Sequence, residues 1–297
     1  MTERNTKDKF DLERSSIRTL KKEDIDFAHK MVTVEQWNDR REDIERMFSY
    51  EPNGCFIAEV DREPAGHVFT VNYEKLGWIG LLIVKAEYRR KQIGTLLMKK
   101  AIDFLLNSGV ETIRLEAVPS IAGLYREFGF IDEYDSLRFT GYSNKIVSLD
   151  IESITPMQEE EISKIADFDA EYFGANRMRV LSRLYQENPD CCFVSHIGSD
   201  ITGYVMSRRM QNGYRIGPWT SMPENQKIAQ ELLTKCMETI KPDTNVYVGV
   251  PELNVTAVEI LQKNGFKQYS KSIRMMFGKK LAEQTSGIFA IGGPMKG

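Results

Sequence analysis

The sequence predicts an α/β chain with a mixed sheet, built from two copies of one unit. Three observations carry that expectation. Residues 78–84, WIGLLIV, form a short apolar run, the pattern of a strand buried on both faces and too short for a membrane span. Ile93, Leu97, Ala101, Phe104 and Leu105 then recur at close to helical spacing. Finally, residues 115–130, LEAVPSIAGLYREFGF, and 246–266, VYVGVPELNVTAVEILQKNGF, each hold a strand ending in Val-Pro and a helix ending in Gly-Phe. That is an internal duplication with a period of about one domain.

Taken in order, residues 1–13 are polar and expected to fray. Residues 16–20 alternate like a first strand, and 24–49 read as helix interrupted near 32–38. Glu51-Pro52-Asn53-Gly54 breaks that helix before a strand over 55–60. The stretch 61–66, DREPAG, is hairpin chemistry leading into a partner strand over 67–73. The central strand and its helix follow, ending at Asn107-Ser108-Gly109. A strand over 112–118 and a short helix over 121–127 complete the first unit. Near 144–154 the pattern restarts, with helices over 159–173 and 177–186 and a break at Asn188-Pro189-Asp190. Strands over 191–197, 201–210 and 214–219, a helix over 226–239 and a strand over 246–250 complete the repeat.

Composition excludes several functions. At 297 residues with 41% hydrophobic and 28% charged residues, the chain has the make-up of a soluble globular protein. Its net charge of −3 argues against nucleic acid as a main partner. No run reaches the roughly 20 apolar residues of a membrane helix, and nothing over residues 1–20 looks like a signal peptide, because no apolar core follows the charged residues. Cys55, Cys191, Cys192 and Cys236 lack metal-ligand spacing, and His29, His67 and His196 lie far apart, so no metal is expected. The expected setting is a reducing cytoplasm. Monomer and homodimer both remain open.

The chemistry concentrates between strand and helix at Tyr88-Arg89-Arg90-Lys91-Gln92-Ile93-Gly94-Thr95. A helix start offers unpaired N–H groups and the positive end of the macrodipole, and three cations add to that attraction for phosphate. The bland alternative is a solvated basic run on an ordinary loop. The stretch resembles the acyl-CoA loop of the GNAT acetyltransferase superfamily, Arg/Gln-x-x-Gly-x-Gly/Ala. Arg89 and Gly94 match, and Gln92 stands where the first glycine usually is. A glutamine there still offers its own N–H if its φ is negative.

The resemblance implies two tandem GNAT-fold (α+β) domains, each a mixed, mostly antiparallel twisted sheet flanked by helices. Residues 14–145 are expected to be catalytic and 146–297 to be a non-catalytic copy. It also implies acetyl-CoA as co-substrate, held by the backbone of Ile83, Val84 and Lys85 and by Arg89 to Thr95. Leu124-Tyr125-Arg126-Glu127-Phe128-Gly129-Phe130 resembles the family segment whose tyrosine protonates the leaving sulfur, which points to Tyr125; a tyrosine packed between helix and sheet is the alternative. For the base, His67, Glu59, Tyr73 and Glu116 all lie on expected strands, and Glu116 is the choice to hold a water or an ammonium. His67 is also a candidate to touch the substrate. Trp37 and Asn38 fall where the family places an acceptor-binding lid, with Trp37 either a platform or a core plug.

A finer resemblance is to bacterial and archaeal GNAT proteins with a second GNAT-like domain. It rests on Trp37-Asn38, Val118-Pro119-Ser120, Phe173-Gly174-Ala175-Asn176-Arg177, Arg215-Ile216-Gly217-Pro218 and the tail 289–294, FAIGGP. In the second copy Leu261 takes the place of Tyr125, and residues 221–227, SMPENQK, lack the glycine loop. The expected function is acetyl transfer to a primary amine of a small molecule, or of a peptide. The rival is an acyl-CoA sensor without turnover.

Overall fold

A computed structural model describes residues 14–143 and 153–297. The expected boundary at 145/146 and the restart near 144–152 lie outside the described residues. The first half runs β1 (Ser15–Thr19), α1 (Ile25–Val34), α2 (Arg41–Tyr50), β2 (Phe56–Val60), β3 (Glu63–Tyr73), β4 (Leu76–Val84), α3 (Ile93–Asn107), β5 (Thr112–Ala117), α4 (Ala122–Glu127) and β6 (Ile131–Tyr142). The second half repeats that order: β7 (Ile154–Pro156), α5 (Ile162–Phe173), α6 (Met178–Glu187), β8 (Cys192–Ile197), β9 (Asp200–Arg209), β10 (Tyr214–Ser221), α7 (Gln226–Glu238), β11 (Asn245–Pro251), α8 (Val255–Lys263) and β12 (Lys267–Gly278). A short β13 (Ile288–Ala290) follows.

Local chemistry explains most of these bounds. Asp61 and Arg62 both take positive φ, 52° and 70°, so a tight two-residue turn joins β2 to β3. Pro52 and Pro189 each open the short turn that follows α2 and α6. Gly174, at φ 89°, ends α5. Just beyond it, buried Arg177 pairs with Asp169 at 2.6 Å and lies 4.1 Å over the Phe173 ring.

The strands form one sheet in the order β1-β2-β3-β4-β5-β12-β6-β11-β10-β9-β8-β7. The last strand of each half is therefore exchanged. β12 pairs with β5 of the first half, β6 pairs with β11 of the second, and β12 and β6 pair with each other at the centre. Three large apolar clusters pack the helices on the sheet. The first joins α1 and α2 to α5 and α6, with Trp78 and Phe173 stacked 6.2 Å apart. The seam also carries buried ion pairs: Arg114 with Glu133 at 2.9 Å, and Arg274 with Glu116 at 2.7 Å and with Glu283 at 3.1 Å.

Within each half one parallel pair opens. β4 and β5 pair only from Leu76↔Thr112 to Ile79↔Leu115, and β10 and β11 only from Tyr214↔Val246 to Ile216↔Val248. In β4 the pairing with β3 also slips between His67 and Phe69, and Leu81 takes φ 51°, which turns the strand away.

Candidate active site

The opening between β4 and β5 leads into a cleft of about 480 Å³. Ile79 to Leu82 and Leu115, Glu116, Val118, Ile121 and Tyr125 form its first-half wall; Arg138, Arg215, Tyr247 and residues 269–272 form the opposite one. Trp37, Asn38 and Asp39 close one side, and Pro294 and Met295 of the tail reach across from the second half. The tail is fixed there by Trp78 Nε1 donating to the Pro294 carbonyl at 3.0 Å and by Tyr73 Oη donating to the Lys296 carbonyl at 2.8 Å. Both halves thus build one cleft.

Tyr125 sits on α4, 6% exposed, with its ring edge-on to Phe130 at 6.2 Å. Burial pushes its hydroxyl pKa up to about 12. Its hydroxyl has no hydrogen-bond partner among the described residues, so it holds a proton and has a free direction in which to give it.

Glu116 is also at the cleft but is not free. Its carboxylate accepts from Arg274 at 2.7 Å, from Arg138 at 3.1 Å and from the Ser272 hydroxyl. Burial raises its pKa, yet Arg274 and Arg138 pull harder and hold it below the usual carboxylate range. A carboxylate so engaged is a poor proton acceptor, which corrects the choice of Glu116 as base. Strand exchange is the reason, because Ser272 and Arg274 arrive on β12.

His67 is corrected as well. It is fully buried on β3, away from the cleft, edge-on to Phe69 at 5.5 Å and to Phe27 at 6.1 Å. Burial lowers its pKa to about 4, so it is a neutral core residue. Asn38 lines the cleft but spends its amide on the second half: Nδ2 donates to the Asn212 carbonyl at 3.0 Å and Oδ1 accepts from the Asn212 N–H at 2.7 Å. It ties the break between α1 and α2 to the second half. Trp37, half-buried, both packs on the first apolar cluster and faces the cleft.

The neighbouring Asp39 escaped the reading of the sequence. It is 4% exposed, and its Oδ1 has no hydrogen-bond partner. Burial lifts its pKa above the usual range; Arg215 pulls the other way, Asp43 adds to the rise, and Arg208 and Lys296 oppose it. The only signal in the sequence was its place beside Trp37-Asn38 in the break between two helices.

The basic turn lies beyond the open end of β4. Arg90 and Gln92 both take positive φ, 59° and 65°, so the chain adopts with side chains the left-handed turn that glycine makes freely. The negative φ allowed for Gln92 is not what the backbone has. Gln92 stands at the start of α3, where no side chain caps the helix. The first-turn N–H groups of Ile93, Gly94 and Thr95 therefore have no intrahelical acceptor. A Cβ on Gly94 would meet only Val84, at 3.7 Å. Arg89 is turned back, donating from Nε to the Val84 carbonyl at 3.0 Å and pairing with Glu35. Lys91 lies 5.5 Å over the Tyr88 ring. Just past β4, Lys85 N–H donates to the Ala65 carbonyl at 2.8 Å, and on β4 Ile83 faces His67 across the ladder. Open N–H groups, Arg90 and the macrodipole fit a diphosphate.

The second half presents no such opening. β13 lies in the gap, pairing with β10 at Trp219↔Ala290 and Thr220↔Ile288, while the Ile291 N–H donates to the Gly249 carbonyl at 2.9 Å. Trp219 is core, its ring 5.1 Å from Phe289. Among the described residues, no group of His, Cys, Asp and Glu is placed to hold a metal, and no helix is long and apolar enough to cross a membrane.

Comparison with known proteins agrees with this arrangement. A GNAT acetyltransferase family model matches residues 18–130, and a GNAT acetyltransferase domain model matches residues 165–290. Holothin acyltransferase of Pseudoalteromonas sp. (strain SANK 73390) is 26% identical over 270 residues, covering 91% of this chain and 90% of that one. N-alpha-acetyltransferase 30 of Xenopus laevis is 33% identical over 106 residues, a third of this chain and 38% of that protein. The crystal structure of a presumptive acetyltransferase from Pyrococcus horikoshii superposes with a TM-score of 0.82 at 25% identity, over 98% of both chains. With matches in both halves and a full-length acyltransferase relative, the chain belongs to the GNAT family of N-acyltransferases.

Proposed function

We propose that the chain moves an acetyl group from acetyl-CoA to a primary amine of a small molecule, in the single cleft that both halves build. One observation carries this reading. At the gap between β4 and β5, one cleft receives the protonated hydroxyl of Tyr125 and a buried carboxylate oxygen of Asp39 with no partner. Asp39 takes a proton from the substrate ammonium, and the freed amine adds to the thioester carbonyl. As the C–S bond breaks, Tyr125 gives its proton to the departing sulfur and regains one from the nitrogen. Amide and thiol leave, and Asp39 passes its proton to solvent. The turn from Arg89 to Thr95 binds the diphosphate of the donor, and the unpaired edge of β4 borders its pantetheine arm.

The second half is read as non-catalytic, because Leu261 cannot donate a proton and β13 fills the equivalent gap. Four free thiols support a reducing, cytoplasmic setting. Thiol release from acetyl-CoA with a panel of amines tests the reading, run on the parent chain and on Tyr125→Phe. We expect amine-dependent release in the parent and a kcat lower by about 10²- to 10⁴-fold in the variant, with donor affinity and Tm little changed. Donor binding without release for any amine would instead mark a sensor. Release only with peptide amino termini would give the acceptor class named for the N-alpha-acetyltransferase relative.

A further inference from the structure

The wall of the cleft opposite Tyr125 carries two guanidinium groups with unspent donors. Arg138 is 8% exposed; its Nη2 donates to Glu116 and to the Ser272 hydroxyl, while its Nη1 has no partner. Arg215, also 8% exposed, takes part in no ion pair among the described residues, and its Nε has no partner. Both line the cleft.

Sheet register puts them on one face. Arg215 is level with Tyr247 on β11, and Gly249, two residues along β11, is level with Arg138 on β6. A Cβ at Gly249 would lie 2.3 Å from Arg138 Nη1, so glycine there leaves room for the guanidinium. Two like charges share this space and feel each other; burial lowers the pKa of Arg215, with Asp39 opposing and Arg138 adding. Buried N–H groups without acceptors and neighbouring cations both disfavour the empty site. An anion between them relieves both, and Asp39, a carboxylate of the same cleft whose charge Arg215 also feels, suits an ammonium.

Resting on the proposed amine acetylation, we propose that the acceptor is an amine that also carries an anionic group, a carboxylate or a phosphate, gripped by Arg138 and Arg215. Such an acceptor brings its amine toward Asp39 while its anion faces β6 and β10. One arginine from each half then sets the specificity of a reaction whose donor site belongs to the first.

The test does not depend on turnover. N-Acetyl-β-alanine, N-acetyl-β-alaninamide and N-acetylethanolamine phosphate, each a product-like ligand, are titrated calorimetrically into the full chain saturated with CoA. We expect at least one of the two anions to bind about tenfold or more tighter than the neutral amide, and the better one to identify the anion. Arg215→Gln should abolish the difference, and Arg215→Lys should keep part of it. Circular dichroism and CoA binding are recorded for each variant, so a misfolded protein is recognised; if Arg215→Gln misfolds, the parent comparison alone decides. Equal binding of all three ligands by the parent, or an undiminished preference in folded Arg215→Gln, would overturn the proposal. Thiol release with neutral amines would still stand in that case, so the acetylation reading survives separately. Absence of release with any amine, alongside anion-selective binding, would instead sink the acetylation reading and keep the anion site.

Discussion

Asp39 shows what a single residue gains from its surroundings. An aspartate in water has a pKa near 3.9 and is a weak base at neutral pH. Burial raises the value here, although Arg215, Arg208 and Lys296 oppose it, so the carboxylate takes up a proton at higher pH than an exposed aspartate would. If Asp39 is the base, kcat falls as pH drops through that raised pKa. Asp39→Asn should remove this acidic limb and lower kcat about 10²- to 10⁴-fold, with donor affinity retained. A pH–rate profile of the variant that keeps the limb would exclude the role. The sequence offered only its place beside Trp37-Asn38, because Asp39 lies in a break with no periodicity to read. Tyr125 was legible because its helix ends in a recognisable Gly-Phe. His67 was not, since alternation along β3 leaves the face of each residue ambiguous and the slip between His67 and Phe69 changes it midway.

At the scale of elements, the strand, turn and helix from Leu76 to Asn107 were legible almost residue by residue, as an apolar run followed by helical spacing. The turn geometry was not, because its left-handed residues are Arg90 and Gln92 rather than glycines. Arg89 is already engaged by Glu35 and by the Val84 carbonyl, so its replacement would loosen the turn as well as remove a charge. Arg90, exposed and outside any salt bridge among the described residues, isolates the electrostatic part. Arg90→Ala should raise the KM for acetyl-CoA with kcat nearly unchanged, and the Arg89→Ala, Arg90→Ala pair should raise it further. Added salt should weaken donor binding more in the parent than in the pair, because screened charges supply part of the attraction. A KM for acetyl-CoA unaffected by both replacements would remove the cradle.

Across the whole molecule, duplication was visible in the sequence as a repeated order of strands and helices, but the exchange of β6 and β12 was not. Neither strand was read from the sequence, which placed nothing after the Gly-Phe that ends each unit, and local pattern cannot tell which half a strand will join. The tail is the second such feature. Pro294 and Met295 of the tail wall the cleft, but the same tail first lays β13 into the gap of the second half. There Ile288 to Ala290 use the edge of β10, and Ile291 uses Gly249 on β11, so the groups a donor's pantetheine arm would need are already spent. The turn after β10 reads Ser221 to Lys227 with Glu224 in it, where a carboxylate repels a diphosphate. Calorimetric titration of the full chain with acetyl-CoA should therefore give one site per chain. That site should be lost or strongly weakened in the Arg89→Ala, Arg90→Ala protein, which leaves the second half untouched. A stoichiometry of two, or one strong site surviving loss of both arginines, would mean that the tail yields to the ligand and that the second half binds a donor of its own.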